Sequence, residues 1–115
     1  MTEIDIKGSE MTHEQFKEFV KRENEWFEST SDILMEMEKE GNLLIRGFCD
    51  IYKVLLKRRL SNCVVCSEYY RAMAERSFWF MRRRVLKTAK VYESLHKMTL
   101  QELIVLKTYM KLNGF

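Results

Sequence analysis

Proline is absent from the 115 residues of this chain, and glycine occurs only four times. About 5% proline is usual in proteins. Because a proline inside a helix removes a backbone hydrogen bond and clashes with the preceding turn, a chain without proline can form long helices. The composition therefore favours a few long helices, with the scarce glycines near their ends.

Long apolar runs are missing as well. No stretch approaches the roughly 20 apolar residues that a membrane-spanning helix needs, and the acidic start MTEIDIKGSE lacks the apolar core of a secretory signal. We therefore expect one intracellular (cytoplasmic) domain over residues 1–115, with no membrane partner. Glutamine is limited to Gln15 and Gln101 while Glu and Lys are abundant, which leans toward a thermophilic source.

The chain has three cysteines, and an odd number fits reduced thiols better than a disulfide framework. Cys63 and Cys66 form a C-x-x-C at a predicted helix start, where a thiol pKa is lowered. The βαβ pattern of a thioredoxin-like redox site is absent. A structural zinc site needs four ligands, and only Cys49, His13 and His96 remain to supply the others. We expect buried thiols in the core and no metal.

Residues for catalysis are also few. The chain has no Ser/His/Asp set, glycine-rich phosphate loop or Walker motif. His13 lies inside a helix-capping sequence, and His96 lies near the predicted end of the third helix, where a cation suits the helix dipole. We expect no catalytic residue, no cofactor and no small-molecule substrate.

Capping signals and apolar periodicity predict four helices. The Thr12–Gln15 capping box begins the first, which crosses the polar stretch at residues 28–32 and is stopped by Gly41. Asn42 caps the second, and Ser61 caps the third after a break at residues 61–62.

A second capping box, Thr99–Glu102, separates the third helix (62–97) from a short fourth one. Asn113-Gly114 stops this last helix. We predict an all-α fold: a small helical bundle of about four helices, two of them long, mostly antiparallel. Residues 1–11 form a lead-in that is either frayed or held by Ile4 and Ile6.

Charge is divided by position. Residues 1–42 carry five Lys/Arg and twelve Asp/Glu, a net of −7, whereas residues 43–98 carry thirteen and four, a net of +9. The formal net charge of +3 therefore conceals an acidic segment followed by a basic one.

One side of the predicted third helix carries a row of positive charge. At 100° per residue, five cations lie within about a quarter turn, and we call them the basic row: Arg76, Arg83, Lys87, Lys90 and Lys97. Arg82 and Arg84 flank the row, and Trp79 borders it. Such a row can follow nucleic-acid phosphates while Trp79 stacks on a base. The alternatives are a solvated helix face, or a face neutralised by the acidic first helix.

Lys57, Arg58 and Arg59 form a second basic cluster. At the predicted end of the second helix they stabilise the helix dipole without any ligand. They extend the nucleic-acid surface only if that end lies beside the basic row.

Aromatic residues surround the predicted third helix on several sides. An all-round apolar helix is normally covered on several sides, and a small bundle has little interior to cover it. Tyr69 and Phe80 lie close together on the helical wheel, away from the main apolar stripe, so we predict a homodimer interface there. The alternative is that the first and fourth helices already cover these rings.

The sequence thus predicts a non-catalytic helical accessory protein that binds DNA or RNA through a basic helix face. The alternative is a homo-oligomeric interaction module without nucleic-acid binding, in which the acidic first helix meets the basic helix of another copy.

Overall fold

Three long α-helices make up most of the residues that the structure describes. The computed structural model describes residues 7–40 and 45–115. After a 3₁₀ turn at Gly8–Glu10 come α1 (His13–Glu40), α2 (Ile45–Glu75) and α3 (Trp79–Leu112). No strand occurs in these two ranges. The predicted all-α class is confirmed, and the predicted number of about four helices is wrong.

The start of α1 follows its capping box. The Thr12 backbone N–H donates to Gln15 Oε1 (2.9 Å), and the Gln15 backbone N–H donates to Thr12 Oγ1 (3.1 Å). The helix crosses residues 28–32 without a break, and Thr30 is buried there. The predicted stop at Gly41 and cap at Asn42 lie outside the described residues.

The predicted break at residues 61–62 is wrong, because α2 passes through both positions. Buried side chains continue on both sides of that point, from Leu56 to Cys63. The chain turns instead at Ser77, whose hydroxyl donates to the Met73 carbonyl (2.7 Å). Burial of a continuous apolar face outweighs the weak preference of Ser61 for a helix start.

The predicted separation of a fourth helix is also wrong. Thr99 is fully buried in the middle of α3, so it caps nothing. The stop at Asn113-Gly114 is confirmed: Gly114 has φ 73°, its N–H donates to the Lys111 carbonyl, and the Phe115 N–H donates to the Met110 carbonyl. These two bonds form a Schellman motif.

Neighbouring helices are antiparallel. Arg71, near the end of α2, pairs with Glu93 of α3, and Tyr52, nearer the start of α2, donates to Glu102, further along α3. On α1, Phe16 stacks on Tyr69, with ring centroids 3.8 Å apart. The molecule is elongated, with principal extents of 54 × 27 × 25 Å.

The N-terminal segment lies directly on α2. Gly8 is buried, and its N–H donates to Glu68 Oε1 (3.1 Å). A Cβ at this position would stand 2.0 Å from the Val65 carbonyl oxygen, so the contact admits only glycine. Residues 8–11 are therefore packed rather than frayed, while Ile4 and Ile6 lie outside the described residues.

Candidate nucleic-acid interface

The turn before α3 and the beginning of α3 carry a concentrated group of cations. Residues 76–92 contain six Lys/Arg and no Asp or Glu. Arg83, Lys87 and Lys90 of the predicted basic row are all exposed on α3, and so is Lys97. From Arg83 to Lys97 the row spans about 21 Å at 1.5 Å per residue.

Arg76 does not belong to the same helix as the rest of the row. It lies in the turn between α2 and α3 and is exposed there. The helical wheel that aligned it with Arg83 assumed one continuous helix from 62 to 97, so that alignment is wrong. Arg76 adds charge at the turn, next to the start of α3.

A shallow depression joins an aromatic ring to the cations. Its lining consists of Trp79, Arg82, Arg83, Leu86, Lys87 and Lys90. We call the four cations together with Trp79 the α3 basic surface. Arg84 is exposed on the same helix, outside this depression. An indole ring beside four cations on one concave surface suits an anionic ligand with planar rings.

Arg82 also holds the turn in place. Its Nε donates to the Ala74 carbonyl (3.1 Å), one of the last carbonyls of α2. Because these carbonyls carry the negative end of the helix dipole, a guanidinium there stabilises the end of α2. The bond links the end of α2 to the first turn of α3, beside the α3 basic surface.

Among the described residues, the acidic α1 is ion-paired with α2 rather than with this surface. Within residues 7–40 and 45–115 no ion pair joins α1 to Arg83, Lys87 or Lys90. The buried carboxylate of α1, Glu23, pairs instead with Arg58 of α2. The sequence left open that the first helix neutralises the basic row. The described residues contain no ion pair that supports this alternative.

Arg58 is bound inside the protein and not at a helix end. Its Nε and Nη2 donate to the two Glu23 oxygens at 2.7 and 2.9 Å, and its guanidinium lies 4.1 Å from the centre of the Trp26 ring. Asn62 donates to the same carboxylate (2.9 Å). These donors hold the pKa of Glu23 below its usual value, against the opposing effect of burial.

Arg59 and Lys57 are also separate from the α3 basic surface. Arg59 pairs with Glu102 (3.6 Å), near the middle of the α2–α3 contact. Lys57 is exposed in the interior of α2. Since α2 continues to Glu75, these residues do not cap a helix C-terminus, and the predicted dipole role of the cluster is wrong.

The three thiols are free and buried, as the sequence predicted. Cys63 and Cys66 lie inside α2 rather than at its start. Burial raises the pKa of Cys63, and it raises the pKa of Cys66 to about 12. This direction is opposite to the activation of a redox thiol. The described residues contain no cluster of three His, Cys, Asp or Glu that can hold a metal ion.

His96 lies in the interior of α3 and not near its C-terminus, so the dipole explanation for it is wrong. His13 does begin α1, and its Nδ1 lies 3.3 Å from the Tyr69 hydroxyl.

A second cleft opens between the three helices, with a volume of about 340 Å³. Apolar side chains such as Phe19, Phe27 and Tyr92 dominate its lining. Its charged members, Glu23 and Arg59, are already paired within the protein. The cleft therefore presents no unpaired charge to a ligand.

The two residues of the predicted dimer interface differ in exposure. Tyr69 is 3% exposed and stacked on Phe16 inside the monomer, so it offers no surface to a partner. Phe80 is 62% exposed at the start of α3. The structure thus corrects the Tyr69 assignment and leaves Phe80 at the surface.

Sequence reasoning missed two exposed side chains beside Phe80. Apolar periodicity along a continuous third helix would assign Phe78 and Met81 to its buried face, but they are 74% and 45% exposed. The signal was the unbroken run of four apolar residues, 78–81, directly before three arginines. Because the chain turns at Ser77, between α2 and α3, residues 78–81 lie at the outer end of the α2–α3 hairpin.

The described helices include none that is long and apolar enough to cross a membrane. Comparisons of the chain with protein-family models, with characterised proteins and with solved structures find no match.

Proposed function

We propose that this protein binds nucleic acid, without catalysis, through the α3 basic surface. The observation that carries the proposal is the depression that joins Trp79 to Arg82, Arg83, Lys87 and Lys90. No carboxylate of the described residues pairs with Arg83, Lys87 or Lys90. Buried free thiols fit an intracellular, reducing location for this activity.

The physical basis is phosphate neutralisation. Each Lys or Arg that meets a phosphate releases condensed counterions, and this release supplies most non-specific affinity. The exposed cations of α3 extend along one helix side, so one backbone strand can lie against several of them. Arg58 and Arg59 are engaged inside the protein and form no part of the proposed surface.

A matched pair of charge-reversal variants tests the proposal. Changing Arg83, Lys87 and Lys90 together to Glu should lower the affinity for random-sequence DNA and RNA at least about 10-fold. The control changes Lys21, Lys107 and Lys111 to Glu, which alters the net charge equally at other exposed positions. Circular dichroism checks that both fold. Equal affinities of the two variants would contradict the proposal.

Self-association is the second function that an observation favours. Val91, Met98, Val105 and Leu112 form an apolar row at intervals of seven residues on α3, and they are 60, 64, 68 and 81% exposed. Seven-residue spacing keeps apolar side chains on the seam between paired helices. This apolar row, and not Tyr69, is the surface through which we propose a homodimer.

Light scattering tests the dimer. We expect a dimer at micromolar concentration that dissociates when Met98 and Val105 are both changed to Glu. The exposed Ile33 and Met35 of α1, changed in the same way, should leave it intact. A monomeric wild-type protein would contradict self-association and leave the nucleic-acid proposal unaffected.

A further inference from the structure

Four consecutive apolar side chains project from the outer end of the α2–α3 hairpin. Phe78, Trp79, Phe80 and Met81 are 74, 82, 62 and 45% exposed, and we call them the aromatic tip. Exposed apolar patches of this kind mark binding surfaces on soluble proteins. No intramolecular contact in the described chain explains why three large aromatic residues are exposed to solvent.

The rings of the tip hold a defined arrangement. Phe78 has an extended backbone (φ −62°, ψ 154°) just before α3 begins. Its ring lies parallel to that of Phe80, with centroids 5.7 Å apart and planes inclined by 6°. Trp79 meets Phe80 edge to face at 5.8 Å. All three rings remain largely exposed and are therefore accessible for stacking.

Charge around the tip restricts what can cover it. Arg76 precedes it, and Arg82, Arg83 and Arg84 follow it, with no acidic residue between positions 76 and 92. A second copy of the same tip would meet like charges, which disfavours a symmetric contact here. The complementary partner is a polyanion that also offers planar apolar faces.

Single-stranded nucleic acid has both properties. In a duplex the base faces are stacked on one another, so exposed rings of the protein gain nothing from them. In a single strand the bases can stack on aromatic side chains while the phosphates follow a basic groove. Trp79 lies in the same depression as Lys87 and Lys90, which brings the two kinds of contact together.

An anionic membrane fits the geometry less well. Lys90 lies eleven residues beyond Trp79 on α3, which is about 16 Å along the helix axis. The headgroup layer on each side of a bilayer is only about 5–7 Å thick. If α3 stands perpendicular to a bilayer that receives the aromatic tip, Lys87 and Lys90 therefore lie outside the headgroups.

We infer that the aromatic tip and the α3 basic surface together bind single-stranded nucleic acid in preference to duplex. Bases stack on Trp79 and Phe80 while phosphates lie against Arg83, Lys87 and Lys90. This inference rests on the proposed function and adds the class of nucleic acid that is bound.

Fluorescence anisotropy with a labelled homothymidine oligonucleotide and a duplex of equal length tests the inference. We expect tighter binding of the single strand by about 10-fold or more, and loss of that preference in Trp79→Ala/Phe80→Ala through a fall in single-strand affinity that exceeds any fall in duplex affinity. The control Ile33→Ala/Met35→Ala removes two exposed apolar side chains of α1 and should retain the preference.

The remaining outcomes separate the two claims. Equal binding of both polymers that is insensitive to the tip substitutions would overturn the inference and leave nucleic-acid binding standing. Binding of neither polymer would overturn both. Tip-dependent binding to phosphatidylserine vesicles, stronger than binding to the oligonucleotide, would overturn the inference in favour of a membrane contact.

Discussion

Glu23 is the charged side chain that joins α1 to α2. It is 8% exposed and accepts three hydrogen bonds from Arg58 and Asn62. A buried carboxylate is tolerated only when its oxygens are satisfied in this way. Glu23 and Arg58 are far apart in sequence, and both look like ordinary surface charges there, so this pair could not be predicted.

Glu23→Gln should lower the free energy of unfolding by about 1–3 kcal/mol at neutral pH, because Arg58 loses its carboxylate. The folded protein lowers the pKa of Glu23 below 4.5, so its contribution is complete above pH 4.5 and is lost as the pH falls through the folded pKa. Urea denaturation at several pH values should show a flatter acid dependence in Glu23→Gln. An unchanged pH profile would contradict the role assigned to the pair.

The sequence predicts that Thr99 caps a helix, whereas the structure has it in the interior of α3. Its side chain is fully buried, and its hydroxyl has no hydrogen-bond partner among the described residues. Thr99→Val keeps the shape and removes the unsatisfied hydroxyl, so stability should rise by about 1 kcal/mol.

The control for that substitution is the exposed Thr108, whose hydroxyl bonds the Ile104 carbonyl (2.9 Å). Thr108→Val should change stability by less than about 0.5 kcal/mol. The measurement is the midpoint of chemical denaturation. If Thr99 capped a helix, the substitution would instead lower the free energy of unfolding by about 0.5–2 kcal/mol. A fall in the denaturation midpoint would therefore contradict the continuous α3.

At the level of helices, local signals predicted some ends well and others wrongly. The Thr12 box and the Asn113-Gly114 stop were predicted correctly, because capping bonds within a few residues decide them. The breaks at residues 61–62 and 97–99 were wrong, because apolar burial along α2 and α3 carries both helices through polar residues. At the observed turn, Arg82 of α3 bonds the Ala74 carbonyl of α2, a contact between helices that local capping signals do not reveal.

The N-terminal 3₁₀ turn tests how tightly a short element is bound to a helix. Gly8→Ala should detach it from α2, because the new Cβ overlaps the Val65 carbonyl oxygen. We expect a loss of about 1–3 kcal/mol in the free energy of unfolding, and faster hydrogen exchange at the Met11 amide, which bonds the Gly8 carbonyl. The exposed neighbour Ser9, changed to Ala, should have neither effect. Unchanged exchange in Gly8→Ala would contradict the close contact.

Over the whole molecule, the net acidic and the net basic charge lie on different elements. The acidic α1 packs against α2, while the basic cations of residues 76–92 stand at the turn and on the first half of α3. The sequence predicted the positive helix face, because the periodicity of cations within α3 is local. It did not predict the aromatic tip, since the exposure of residues 78–81 depends on where the chain turns back.

The central claim is that phosphates bind the α3 basic surface, and the salt dependence of affinity tests it most directly. Each phosphate contact contributes about 0.7–0.9 to the slope of log affinity against log salt concentration. Lys87→Ala/Lys90→Ala should therefore reduce the slope by about 1.4–1.8, whereas Lys107→Ala/Lys111→Ala should leave it unchanged. Equal slopes for wild type and both variants, or a wild-type slope near zero, would contradict the account.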